Sequence, residues 1–113
     1  MPLQDSYLFF ATGDGIDAST DAAVYPLSHL RGIQPVSATS LNIVFTPVRI
    51  TDVATGDVAD VVQLTIKAGT FKRVVQTFFK VVSNNYQMHI IADSDNSEFI
   101  TSDITDCSIT NAV

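Results

Sequence analysis

Positive charge is scarce in this chain: six lysines and arginines stand against twelve acidic residues, a formal charge of −6 over 113 residues. General nucleic-acid binders gain affinity when clustered cations displace counterions from phosphates. Anionic membrane surfaces ask for the same clusters, so the balance argues against both partners. Cysteine is nearly absent. With Cys107 alone, no intrachain disulfide can form, and a cysteine-based zinc site would need other ligands. Apolar runs are only a few residues long, far short of the roughly 20 that span a bilayer. The N-terminal Met-Pro-Leu-Gln-Asp-Ser shows no basic cluster followed by an apolar core and a small-residue cleavage site. A protein made and kept in a cytoplasm, or assembled there into something larger, is therefore expected.

Glutamate is also rare. Eleven of the twelve acids are Asp, and Asp, Ser, Thr and Asn compete with helical hydrogen bonding while suiting turns and strands. The hydrophobic fraction is 46% and the charged fraction 16%, too apolar for a disordered chain. The length fits one domain and one core, residues 1–113. The expected class is α+β: a sheet-dominated single domain with several short strands.

The strands announce themselves by alternation. Tyr7-Leu-Phe-Phe-Ala11, closed by Thr12-Gly-Asp-Gly15, reads as a first strand and its turn. Ile16 to Ala22 reads as a loop and Ala23-Val-Tyr25 as a brief strand, since a residue before proline is pushed towards extended geometry. Leu27 to Gly32 is ambiguous, and Ile33 to Val36 is extended or edge-like because Pro35 cannot donate to a ladder. Leu41, Ile43 and Phe45 alternate with polar neighbours in Ser40–Thr46. Asp52–Asp57 has the turn chemistry of a hairpin tip. From Asp60, Val62, Leu64 and Ile66 form one strand face, with Gln63, Thr65 and Lys67 on the other.

Gly69 then breaks the pattern and the period changes. At 100° per residue, Val81, Val74, Phe78, Phe71, Val82, Val75 and Phe79 share one arc of about 160°, with Lys72, Gln76, Lys80, Arg73 and Thr77 opposite. This predicts an amphipathic helix over about 71–83, with Thr70 as N-cap and Asn84-Asn85 at the exit. Val and Phe are mediocre helix formers and a helix this short is marginal in water. Burial at about 1.5 to 3 kcal/mol per apolar side chain must hold it, with a sheet as floor. Tyr86, Met88, Ile90 and Ala92 follow as a strand face, with His89 on the opposite, solvent or partner side. The strand, helix, strand spacing predicts a crossover unit with Asp60–Lys67 and Tyr86–Ala92 parallel in one sheet. The tail, with Phe99–Thr101, Ile104 and Cys107–Ile109, offers one or two short strands.

Candidate chemistry is sparse. Asp93-Ser-Asp-Asn-Ser-Glu98 has oxygen ligands at alternate positions, as a hard cation needs. An EF-hand would require glycine where Glu98 stands and glutamate where Ile104 stands, so the segment reads as a solvated acidic loop. Gly13-Asp-Gly15 with Asp17 and Asp21 has the same two readings, and turn chemistry is preferred. His29 or His89 could serve as base to a serine or to Cys107, yet no nucleophile elbow, zinc motif, dinucleotide fingerprint or phosphate loop accompanies them. No catalytic, metal-binding or cofactor residue is assigned, and the chain is read as non-enzymatic. The rival is a small-molecule or divalent-metal enzyme using Asp93, Asp95 and Glu98 or the histidines. A third reading is a soluble adaptor that binds a host protein through the helix.

What remains is the charge pattern. Lys67, Lys72, Arg73 and Lys80 are four of the six bases and lie within fourteen residues. They are either the solvated side of the helix or a face that meets acidic loops of a neighbouring subunit; Lys72, Arg73 and Lys80 are the candidate partner-binding residues.

The runs Val24-Tyr-Pro-Leu-Ser-His-Leu-Arg-Gly-Ile-Gln-Pro-Val-Ser-Ala-Thr-Ser-Leu-Asn-Ile-Val-Phe45 and Ile90-Ile-Ala-Asp-Ser-Asp-Asn-Ser-Glu-Phe-Ile-Thr-Ser-Asp-Ile104 resemble small virion proteins of tailed bacteriophages, marine ones especially. The resemblance implies a structural protein that decorates or cements a capsid. Its partners would be further copies of itself and capsid protein, and its location the virion, assembled in the host cytoplasm. No binding residue is carried over from it.

Overall fold

Alternation such as that of Leu41, Ile43 and Phe45 is satisfied by a sheet with one buried face, and two such sheets enclose the core. The computed structural model describes residues 6–13, 21–46, 59–83 and 87–110. In chain order these form β1 (Tyr7–Ala11), β2 (Ala22–Pro26), a 3₁₀ turn (Leu27–His29), β3 (Leu30–Ser37), β4 (Ser40–Phe45), β5 (Asp60–Ile66), α1 (Phe71–Val82), β6 (Met88–Asp93), β7 (Glu98–Phe99) and β8 (Ile104–Thr110). One four-stranded sheet has the order β2-β1-β6-β7, the other β3-β4-β5-β8. The architecture is α+β and sheet-dominated.

In the second sheet the register stacks apolar residues in rows. Leu41 opposes Leu64, which opposes Cys107, and Ile43 opposes Val62, which opposes Ile109; all six are buried. The first sheet answers with Leu8 and Phe10 of β1, Tyr25 of β2 and Ile91 and Ala92 of β6. The two sheets meet through aromatic rings. Tyr25 stacks on Phe45 at 4.3 Å with planes 4° apart, and Phe10 lies tilted against both. The Tyr25 hydroxyl donates to Asp60 Oδ2 at 2.8 Å, which accounts for part of the hydrogen bonding that a carboxylate exposed by only 1% requires.

The parallel unit differs from the sequence-based expectation. β5 and β6 lie in different sheets, and β6 pairs in parallel with β1. Both edges of β5 are taken by antiparallel neighbours, β4 and β8, so no edge is left for β6. The face of β6 is reversed as well: Met88 is exposed and Ile90 half-buried, while His89, Ile91 and Asp93 are buried. Tyr86 of the expected inward set lies outside the described residues, and of the other three only Ala92 is buried, because the register shifts between Phe9 and Phe10, passing from Ile90 to Ala92 and leaving Ile91 as the extra residue. His89, expected at the surface, therefore faces inward beside its register partner Leu8.

The ambiguous Leu27–Gly32 segment resolves into the 3₁₀ turn and the start of β3. β3 is an edge strand, as Pro35 suggests. Its ladder slips twice, between Leu30 and Gly32 and between Pro35 and Ser37. Bulges and proline are the devices that blunt an open sheet edge against further pairing. The hairpin tip expected at Asp52–Asp57, the helix exit at Asn84-Asn85, and Asp14, Gly15 and Asp17 of the first acidic loop lie outside the described residues.

Candidate interaction surface

The helix is positioned at both ends by side chains rather than by its own caps. Gly69, at φ +77°, makes the turn out of β5 in a conformation that favours glycine. Thr70 does not cap the helix with its side chain: its hydroxyl donates backwards to the Lys67 carbonyl at 2.7 Å, closing that turn. At the other end Ser6 donates its hydroxyl to the Val82 carbonyl at 2.7 Å, satisfying one of the acceptors a helix C-terminus leaves open. This ties α1 to the strand opening at Tyr7.

Packing then sets the rotation. Val74, Phe78 and Val82 are buried; Phe71, Val75 and Val81 are half-buried. Val74, Val75 and Phe78 meet Leu41, Leu64, Ile91, Ile100 and Ile104 in the apolar space between the helix and the two sheets. Phe79 belongs to the apolar arc by sequence, yet it is 44% exposed. It sits at the margin of the arc, seven residues after Lys72, so centring the arc on Phe78 turns it outward.

The outward stripe is thus Lys72, Gln76, Phe79, Lys80 and Ser83, at the i, i+4, i+7, i+8 and i+11 positions of one helical face, all exposed. α1 carries no acidic residue. Among the described residues no carboxylate pairs with Lys72 or Lys80. Arg73 differs. Its guanidinium grips Asp103 with both arms, Nε to Oδ2 at 2.6 Å and Nη2 to Oδ1 at 2.9 Å. The three cations expected to act together therefore divide: two are available and one fastens the helix to the turn before β8. Thirty residues separate Arg73 from Asp103, and no local spacing in the sequence signals the pair. The hydrogen bonds from Arg73 hold the Asp103 carboxyl below its ordinary range, opposed by burial and aided by the charges of Arg73 and Lys67 and by Thr101. The same hydrogen bonds raise the Arg73 guanidinium further.

The acidic turn is more ordered than a solvated loop. Asp93 is buried at 4% exposure, and its carboxylate accepts from the Asn96 backbone N–H at 3.2 Å and from the Asn96 side-chain amide at 3.0 Å. It spends its oxygens on the turn that Ser97 completes at φ 55°. Ser94 donates to Asp106 Oδ1 at 2.9 Å, bringing β8 to the same corner. Asp95, Glu98 and Asp106 remain exposed there. Among the described residues no group of three or more His, Cys, Asp or Glu is gathered as a metal site.

The other candidates lie on different elements, His29 in the 3₁₀ turn, His89 on β6 and Cys107 on β8. His29 is half-buried in the 3₁₀ turn, its Nδ1–H 3.3 Å from the Thr46 carbonyl. Cys107 is buried on β8, and burial, reinforced by the nearby charges of Asp106 and Asp93, pushes its thiol up to about 12. A thiol so shifted is protonated at neutral pH and a poor nucleophile.

Among the described residues no helix is long and apolar enough to cross a membrane. No protein-family model, curated protein or solved structure matches the chain.

Proposed function

We propose that this chain is a non-enzymatic structural protein acting through protein contacts, as a component that decorates or stabilises the capsid of a phage-like virion. The observation that carries the contact reading is the outward face of α1. It presents two lysines that no carboxylate among the described residues pairs with, and a large exposed ring, on a helix clamped at both ends. A rigid face with an aromatic among polar residues suits recognition of another protein surface. Elsewhere the reactive groups serve the fold: Asp60 bonds Tyr25, Asp93 closes a turn, Asp103 binds Arg73 and Cys107 stays protonated. The virion setting comes from the resemblance of Val24–Phe45 and Ile90–Ile104 to small phage virion proteins.

The test is stoichiometry. Particles purified from cells that produce the chain are expected to contain it in a fixed whole-number ratio to capsid protein, by quantitative mass spectrometry. Exclusion from particles, together with recovery on a host protein in pull-downs from lysate, replaces the proposal with the adaptor reading.

A further inference from the structure

Charge in this chain is segregated along the sequence, and in the fold the two groups touch at Arg73 and Asp103. Between residues 61 and 80 stand four bases and no acid; from residue 81 onward stand five acids and no lysine or arginine. The first group is gathered at and around α1. Of the second, Asp93, Asp95, Glu98 and Asp106 lie at the corner where Ser94 bonds Asp106 and where Glu98 pairs with Asp93 across β6 and β7, while Asp103 sits against Arg73. Asp93 and Asp103 are buried and bonded internally; Asp95, Glu98 and Asp106 are exposed, Asp106 with Oδ1 already accepting from Ser94 and from the Cys107 backbone N–H.

We infer that the Lys72, Gln76, Phe79 and Lys80 face of α1 docks on the Asp95, Glu98 and Asp106 corner of a second copy of this chain. The inference rests on the contact reading above and names its partner. Charge complementarity selects the second copy, since each molecule carries both halves of the contact and, among the described residues, joins them within itself by the Arg73–Asp103 ion pair alone. Two different surfaces meeting make a heterologous contact, which closes into a ring or continues as a row. Repetition of that kind is what a shell component needs. The face is small, a helix of 12 residues and about 18 Å, so each contact is weak and its strength in an array comes from multiplicity. Each copy also carries −6, so long-range repulsion opposes association except where these patches meet.

The experiment is a charge swap on the full chain, read by sedimentation velocity over micromolar to millimolar concentrations, with far-UV circular dichroism to verify folding. Lys72→Glu with Lys80→Glu is expected to weaken self-association at least about tenfold, and Asp95→Lys with Glu98→Lys to do the same. The four changes together are expected to restore association to within about threefold of the original. The neutral pair Lys72→Gln and Lys80→Gln is expected to fall between. A chain that self-associates equally well with either patch reversed overturns this docking and leaves the assembly reading standing, because its copies then meet elsewhere. A chain that stays monomeric throughout, or binds polyglutamate through Lys72 and Lys80 without self-associating, overturns the second copy as occupant. The particle stoichiometry then judges the capsid reading separately.

Discussion

The two ends of strands β4 and β5 are closed in different ways. At the Phe45–Asp60 end, three rings and a buried carboxylate lock the sheets: Tyr25 stacks on Phe45, Phe10 leans on both, and the Tyr25 hydroxyl reaches Asp60. At the Leu41–Leu64 end the closure is aliphatic, made by Val74 and Phe78 of α1 against Leu41, Leu64, Ile91 and Ile104, with the Arg73–Asp103 pair at the rim. Stacked rings and a directional hydrogen bond fix one geometry. A helix lying over aliphatic side chains has more freedom to resettle. The difference bears on function, because the helix that makes the aliphatic closure is also the element that presents Lys72 and Lys80.

The largest effect belongs to the aromatic end. Phe45→Ala is expected to cost about 4 to 5 kcal/mol, since two strands and two ring neighbours restrain the site from collapsing into the void. Urea unfolding followed by fluorescence and circular dichroism measures it. Phe78→Ala removes the same number of atoms but lets the helix settle, so a loss nearer about 3 kcal/mol is expected. Equal or reversed costs would break the contrast between a fixed and a yielding closure.

Next comes the hydrogen bond between the sheets. Tyr25→Phe keeps the stacked ring and removes one donor to buried Asp60, with an expected cost of about 1 to 3 kcal/mol. A silent Tyr25→Phe would leave the rings alone responsible for this end.

The smallest effect lies at the rim. The Asp103 carboxyl is depressed below its ordinary value of 3.8, so its contribution to stability is present above that pH and fades as the pH falls through the lower native value. Thermal melts between pH 6 and pH 2.5 are expected to show a shallower acid-side loss in Arg73→Ala than in the original chain. The guanidinium is largely solvated, its side chain 66% exposed, so the difference is small and shrinks with salt. An unchanged pH profile would mean the pair orients the helix without stabilising it.

Much of this could be read from local pattern. The faces of β4 and β5 and the existence of α1 follow from periods of two and of 3.6, which depend on near neighbours only. Even the burial of Asp60 was signalled, because it shares the parity of Val62, Leu64 and Ile66. Other features had no local sign. The extra residue at Ile91 disrupts the alternation of β6 and hides His89. Arg73 finds Asp103, and Ser6 finds the Val82 carbonyl, across thirty and seventy-six positions. For the interaction surface, the composition of α1 named Lys72, Arg73 and Lys80 as a set. Packing removed Arg73 from the free cations and added Phe79.

The sequence by itself determined that this chain folds with a sheet-dominated core, that one helix needs a floor, and that its positive charge is concentrated on that helix. Those properties are sums over neighbouring side chains, and neighbours are what a sequence states. Tertiary structure alone decided that β6 joins β1 instead of β5, because strand edges are occupied by whichever distant partner fits first and best. It also decided which helical cations face outward unpaired, because an ion pair requires two groups to arrive at one place from separate parts of the chain.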